Sequence, residues 1–164
     1  MSTTPQDLQH LIAEVTEQQR HLVLARFDND DAWALGCLIV EIARERDLPV
    51  VVDIRRHGHQ LFHASLAGTS PDNDSWVARK ARVVDRFGDS SFLVGLRLRA
   101  AGTTLSEQSG LADQDFAAHG GAFPVIISGV GPVGTVTVSG LTQDADHALV
   151  VEALEQVYES QSRR

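Results

Sequence analysis

Two stretches rich in β-branched residues, each interrupted by turn-forming ones, constrain the fold of this chain more than any other feature. The first is LPVVVDI (48–54), bounded by a proline, which resumes after RRHGHQ as LFHASL (61–66). The second is FPVIIS (123–128), which resumes beyond Gly129 and Gly131 as PVGTVTVSG (132–140). Short apolar runs separated by glycine-containing turns read as hairpins, so two antiparallel β-hairpins are predicted. A further apolar run, HLVLARF (21–27), reads as a short buried strand.

The segments between these strands carry helix signals. In TTPQDLQHLIAEV a threonine can cap, Pro5 suits the first turn, and Leu8, Leu11, Ile12 and Val15 recur at helical spacing. DNDDAWALGCLIVEIARERD predicts a helix over about 30–46, with Asp28 or Asn29 as cap, acids in the first turn, and Arg44 and Arg46 in the last. TSPDNDSWVARKARVVDRFG predicts a third over about 71–87, from Pro71 to a stop at Gly88. SSFLVGLRLRAAG fits both periods: Phe92, Val94, Leu96 and Leu98 alternate, but a serine cap and Gly102 favour a helix. TQDADHALVVEALEQVYES closes the chain as a helix capped by Thr142, with Val150, Leu154 and Val157 on one face. The resulting order, α-β-α-β-β-α-α-β-β-α, predicts one α+β domain over residues 1–164, with an antiparallel sheet of about five strands and helices on its faces.

Composition narrows the function. The formal charge of −8 opposes attraction to phosphate backbones and anionic lipid, so neither a nucleic-acid nor a membrane partner is expected. Cys37 is the only cysteine, which leaves no disulfide framework and points to a reducing compartment. The polar, acidic first residues, MSTTPQDLQHLIAEV, carry no targeting pattern, and no apolar run is long enough to span a bilayer. A cytoplasmic location is the expectation.

Several residues invite a chemical reading. HGHQLFH holds His57, His59 and His63, but His57 and His59 straddle the hairpin tip and only His59 and His63 would share a strand face, so no metal site is expected. Lys80 follows Trp76 by four residues and falls on the apolar stripe of the third helix, with Val83, Val84 and Phe87. A cation there needs either an anionic ligand or a structural carboxylate, and Asp53, isolated in VVVDI, is the candidate partner. The acids of DNDDAW read first as caps and then as proton carriers, and His119 and His147 remain as candidate acid–base groups. In AAHGGAFPVII the histidine before two glycines could mark an oxyanion hole, but that reading requires a G-x-S-x-G elbow, and the chain has none.

Taken in order, FDNDDAWALG, TSPDNDSWVARKARVVDRFG, AAHGGAFPV and VGTVTVSGLTQDADHALVVEAL resemble the haem-degrading domain family, the GlcG/HbpS-like proteins. The resemblance runs from about Leu22 to Leu154 and is nearest to the branch with N-D-D-A-W and P-D-N-x-x-W-x-x-R-K patterns. It implies a profilin-like fold, homo-oligomers built from dimers, and a role for the glycine pair in leading the backbone into the last hairpin. Trp33, Asp72, Asn73, Trp76, Arg79, Lys80, His119, Gly120 and Gly121 match the branch's pattern and form the expected ligand-binding set. Three functions compete on this reading. One is a cytoplasmic oligomer binding a small anionic ligand, haem or a related tetrapyrrole included, near Lys80, Arg79 and His119. Another is a small-metabolite enzyme using His119 or an acid of DNDD, and the third is a protein–protein adaptor.

Overall fold

The computed structural model describes residues 3–164. Helix α1 (Pro5–His21) leads through β1 (Val23–Leu24) to α2 (Asn29–Glu45), and the first hairpin is β2 (Val51–Arg56) with β3 (His59–Ser65). Then come α3 (Pro71–Phe87), α4 (Ser91–Ala101), α5 (Leu105–Ser109), the second hairpin β4 (Ala122–Ile127) and β5 (Gly131–Ser139), and α6 (Gln143–Ser162). The five strands form one sheet in the order β1-β4-β5-β2-β3.

This is the expected α+β architecture, with two differences. Strand β1 pairs parallel to β4, so the sheet is mixed rather than wholly antiparallel. The predicted strand 21–27 shrinks to two residues because its continuation is taken by a side chain. Gln161 accepts from the Ala25 and Arg26 amides and donates to the Arg26 carbonyl, which removes those groups from the ladder. The segment read as helix or strand is helix α4; Phe92, Leu93, Val94, Leu96 and Leu98 are all buried, so it lacks the polar stripe that would have settled its period. Helix α5 is additional, capped by the Thr104 hydroxyl on the Glu107 amide.

Each sheet face has its own layer. Leu35 and Ile39 of α2 and Val150 and Leu154 of α6 meet Val52, Ile54, Phe123, Val136 and Val138 in the main core. Helix α3 covers the other face with α4, and α1 lies outside α4. That second face is polar: Asp53, Thr135, Thr137 and Ser139 alternate onto it and are buried. A layer of this kind needs hydrogen-bonding partners; α3 brings Lys80 to it, which donates to the Val138 carbonyl, while the Thr137 hydroxyl has no partner among the described residues.

Candidate functional site

Lys80 lies on the apolar stripe of α3, as its spacing predicts, and is 2% exposed. Its ammonium donates to the Gly120 carbonyl at 3.0 Å, the Val138 carbonyl at 2.7 Å and Asp146 Oδ2 at 3.1 Å. An ammonium has three hydrogens, so every donor is used. The expected pairing with Asp53 is not formed. Asp53 instead accepts from Arg55 Nε, Gln60 Nε2 and His63 Nδ1 on the hairpin itself, while Asp146 reaches Lys80 from the first turns of α6. Burial lowers the Lys80 pKa and raises that of Asp146, and each partner's charge opposes the shift of the other.

The glycine pair makes this approach possible. Gly121 has φ 132°, and a Cβ there would collide with Lys80 Nζ and the Val138 carbonyl; one on Gly120 would strike the Gln143 carbonyl. The HGG stretch is therefore a close-packed turn that offers a carbonyl to a lysine.

Above the ion pair opens a hollow of about 240 Å³, lined by Asp72, Asn73 and Trp76 of α3, by His119 and Gly120, and by Gln143 of α6 among others. Asn73 Oδ1 accepts from the Ser70 amide and so caps the helix, with its amide nitrogen left over. The Arg79 guanidinium stacks on Trp76 at 4.5 Å from the ring centroid, held by the Asp113 carbonyl. His119 meets the same indole edge-on at 5.3 Å. On the far side of His119 and Gln143 lies a second hollow of about 390 Å³, with Arg79, Arg99, Thr103 and Asp113 on its wall. Partial burial lowers the His119 pKa first, followed by the charges of Lys80, Arg79 and Arg99, which favours the neutral ring. Among the described residues no carboxylate hydrogen-bonds or ion-pairs with His119.

Asp72, Asn73, Trp76, Arg79, Lys80, His119, Gly120 and Gly121 thus converge from α3 and the turn before β4. Trp33 stands apart: it is 62% exposed on α2 and meets Phe62 edge-on at 5.4 Å. The DNDD acids also lie away from the hollow and act as caps. Asp28 and Asp31 form a reciprocal capping box, and Asp31 pairs with Arg26. Cys37 is exposed on α2.

His63 has two carboxylate neighbours, Asp53 at 2.8 Å and Asp74 at 3.3 Å, but no group of three or more metal-ligating side chains occurs among the described residues. A bulge at Leu61 brings Gln60, not His59, beside His63 on Asp53, which overturns the expected shared face. Sequence reasoning missed Asp146, Gln143 and Arg99. The first two hide among the first-turn residues of α6, where an acid reads as a dipole complement, and Arg99 occupies the last turn of α4, where a cation reads the same way.

The profile of the family described as haem degrading protein, HbpS-like, matches residues 27–155. The chain belongs to this family. It is 62% identical over 155 residues to the UPF0303 protein of Streptomyces coelicolor, covering 94% of this chain and 97% of that protein. Among solved structures it is similar to the Ybr137w protein, with a TM-score of 0.84 and 32% identity over 91% of this chain and 88% of that one. A PduOC–haem complex shares the fold, with a TM-score of 0.68 and 18% identity over 79% and 93% of the two chains. No helix among the described residues is long and apolar enough to cross a membrane.

Proposed function

We propose that this member of the HbpS-like family is a cytoplasmic protein that binds a small anionic metabolite in the paired hollows around His119. One observation carries the reading: Arg79 and Arg99 line one hollow together with His119, and Arg99 has no anionic partner among the described residues. An unneutralised cation at the wall of a cavity is the counterpart an anion needs. Lys80 is not that counterpart, because its hydrogens are spent on Asp146 and two carbonyls, so it builds the floor of the site.

Haem suits the single chain poorly. The hollows, 240 and 390 Å³, sit at or below the small end of the roughly 300–1,000 Å³ typical of ligand pockets, too little to enclose a macrocycle. His119 is the only residue of an axial-ligand type on either wall, and Trp76 lies against its ring. A tetrapyrrole would have to lie between chains. The enzymatic reading is also the weaker one, since His119 lacks an orienting carboxylate and the DNDD acids are engaged in capping.

Calorimetric titration with acetate, succinate, inorganic phosphate and haem tests the proposal. It expects saturable, salt-sensitive binding of a small anion that Arg99→Gln weakens about tenfold. Absence of binding by every small anion, or binding indifferent to Arg99→Gln, overturns it; saturable haem binding alone would replace it with the tetrapyrrole reading.

A homo-oligomeric assembly has its own supporting observation. Trp33, Cys37, Val40 and Phe62 line an apolar hollow of about 520 Å³ beside β3, the edge strand whose outer side is unpaired. Exposed apolar surface next to an open edge is what an interface covers.

A further inference from the structure

The two hollows differ in charge, and the difference specifies more than an anion. The first is acidic once its cation is discounted: Lys80 is neutralised by Asp146, which leaves Asp72 on the wall with neither an ion pair nor a side-chain hydrogen bond among the described residues. The second is basic, since Arg79 and Arg99 outnumber Asp113. His119 and Gln143 belong to both walls, and the Arg79–Trp76 stack joins one hollow to the other. Two unpaired charges of opposite sign, Asp72 and Arg99, therefore flank one neutral imidazole.

We infer that the ligand is a zwitterion of the α-amino-acid class, its carboxylate on the Arg79/Arg99 side and its ammonium in the Asp72 hollow beside Trp76. This rests on the anion-site reading given above and narrows it. A neutral imidazole has one N–H donor and one acceptor, so His119 can donate to a carboxylate on one side and accept from an ammonium on the other. A monocarboxylate leaves Asp72 unmatched, and a dicarboxylate sets its second charge against Asp72. Leu98, Leu105 and Phe116 on the wall of the basic hollow suit an aliphatic side chain.

The test uses the intact chain and four probes: L-leucine, 4-methylpentanoate, which lacks the ammonium, isoamylamine, which lacks the carboxylate, and succinate. Calorimetry is expected to show leucine binding about tenfold or more tighter than any of the others. Asp72→Asn should weaken leucine about tenfold and have a smaller effect on 4-methylpentanoate, whereas Arg99→Gln should weaken both by about that factor. Melting curves verify that both variants fold. If 4-methylpentanoate or succinate equals leucine, or Asp72→Asn affects both acids alike, the zwitterion is refuted while the anion site stands. If no probe binds the wild type, the zwitterion is refuted, and the phosphate and acetate titrations then decide the anion site separately.

Discussion

Replacing Lys80 by methionine removes one charge at nearly constant volume and should cost the fold a large part of its stability. Lys80 and Asp146 are 3% and 4% exposed at the side chain and 3.1 Å apart, so the variant strands a carboxylate in the interior with only the Gly140 and Leu141 amides as donors. It also leaves the Gly120 and Val138 carbonyls without the ammonium. Breaking a buried pair on one side costs about 3–5 kcal/mol. Against a total stability of about 5–15 kcal/mol, this lowers the melting temperature of a chain of this size by roughly 6–20 °C. Lys80→Met/Asp146→Leu should recover much of the loss, because two matched apolar groups leave no orphaned charge. Urea denaturation followed by tryptophan fluorescence measures all three proteins. A single variant within about 1 kcal/mol of wild type, or a double variant no more stable than the single one, would refute the assignment of Lys80 to the structural floor of the site.

Three further outcomes concern His147, Gly121 and Trp33. Burial holds His147 at a pKa of about 4, with its Nε2 on Gln18 and its Nδ1 unpartnered, whereas the unfolded ring titrates near 6.5. The unfolded state therefore binds more protons between those pH values, and stability should fall by about 3 kcal/mol as pH drops from about 6.5 to 4, a slope that His147→Leu removes in parallel denaturant titrations. Gly121→Ala places a methyl group against Lys80 Nζ at a positive φ and should destabilise by roughly 1–3 kcal/mol or more in thermal melts, while Gly58→Ala at the open hairpin tip costs less. Trp33→Ser should leave chain stability within about 0.5 kcal/mol when measured under dissociating conditions, and lower the assembly mass seen by light scattering; an unchanged mass removes Trp33 from the interface.

Much of the architecture is legible because the signals that define it are local. Pro71 and Gly88 bracket α3 at both ends, the His57–Gly58 tip takes two positive φ angles as a two-residue hairpin turn requires, and Asp28 and Thr142 cap where they are expected to. What escapes is decided by residues far apart in sequence. Nothing within β1 reports that Gln161 ends it. Helix α5 is not predicted although Thr104 and Glu107 form a local T-x-x-E cap signature, because five residues are too few for a hydrophobic period to support it.

The candidate site divides along the same line. Lys80 is anomalous on its own helix, so the sequence shows that a partner must exist, and the glycine pair shows that something approaches the backbone closely. Which carboxylate answers depends on the face. Asp53 and Lys80 share the polar layer, but the bulge at Leu61 gives Asp53 a third donor from its own hairpin, and a carboxylate already holding Arg55, Gln60 and His63 has no need of an ammonium. Asp146, by contrast, enters the layer at the start of α6 with only the Gly140 and Leu141 amides beside it. The lysine goes to the acid with the greater unmet demand. Because that choice consumes all three of its hydrogens, the proposed ligand reading turns instead on Asp72, which the P-D-N pattern marks, and on Arg99, which no local pattern marks.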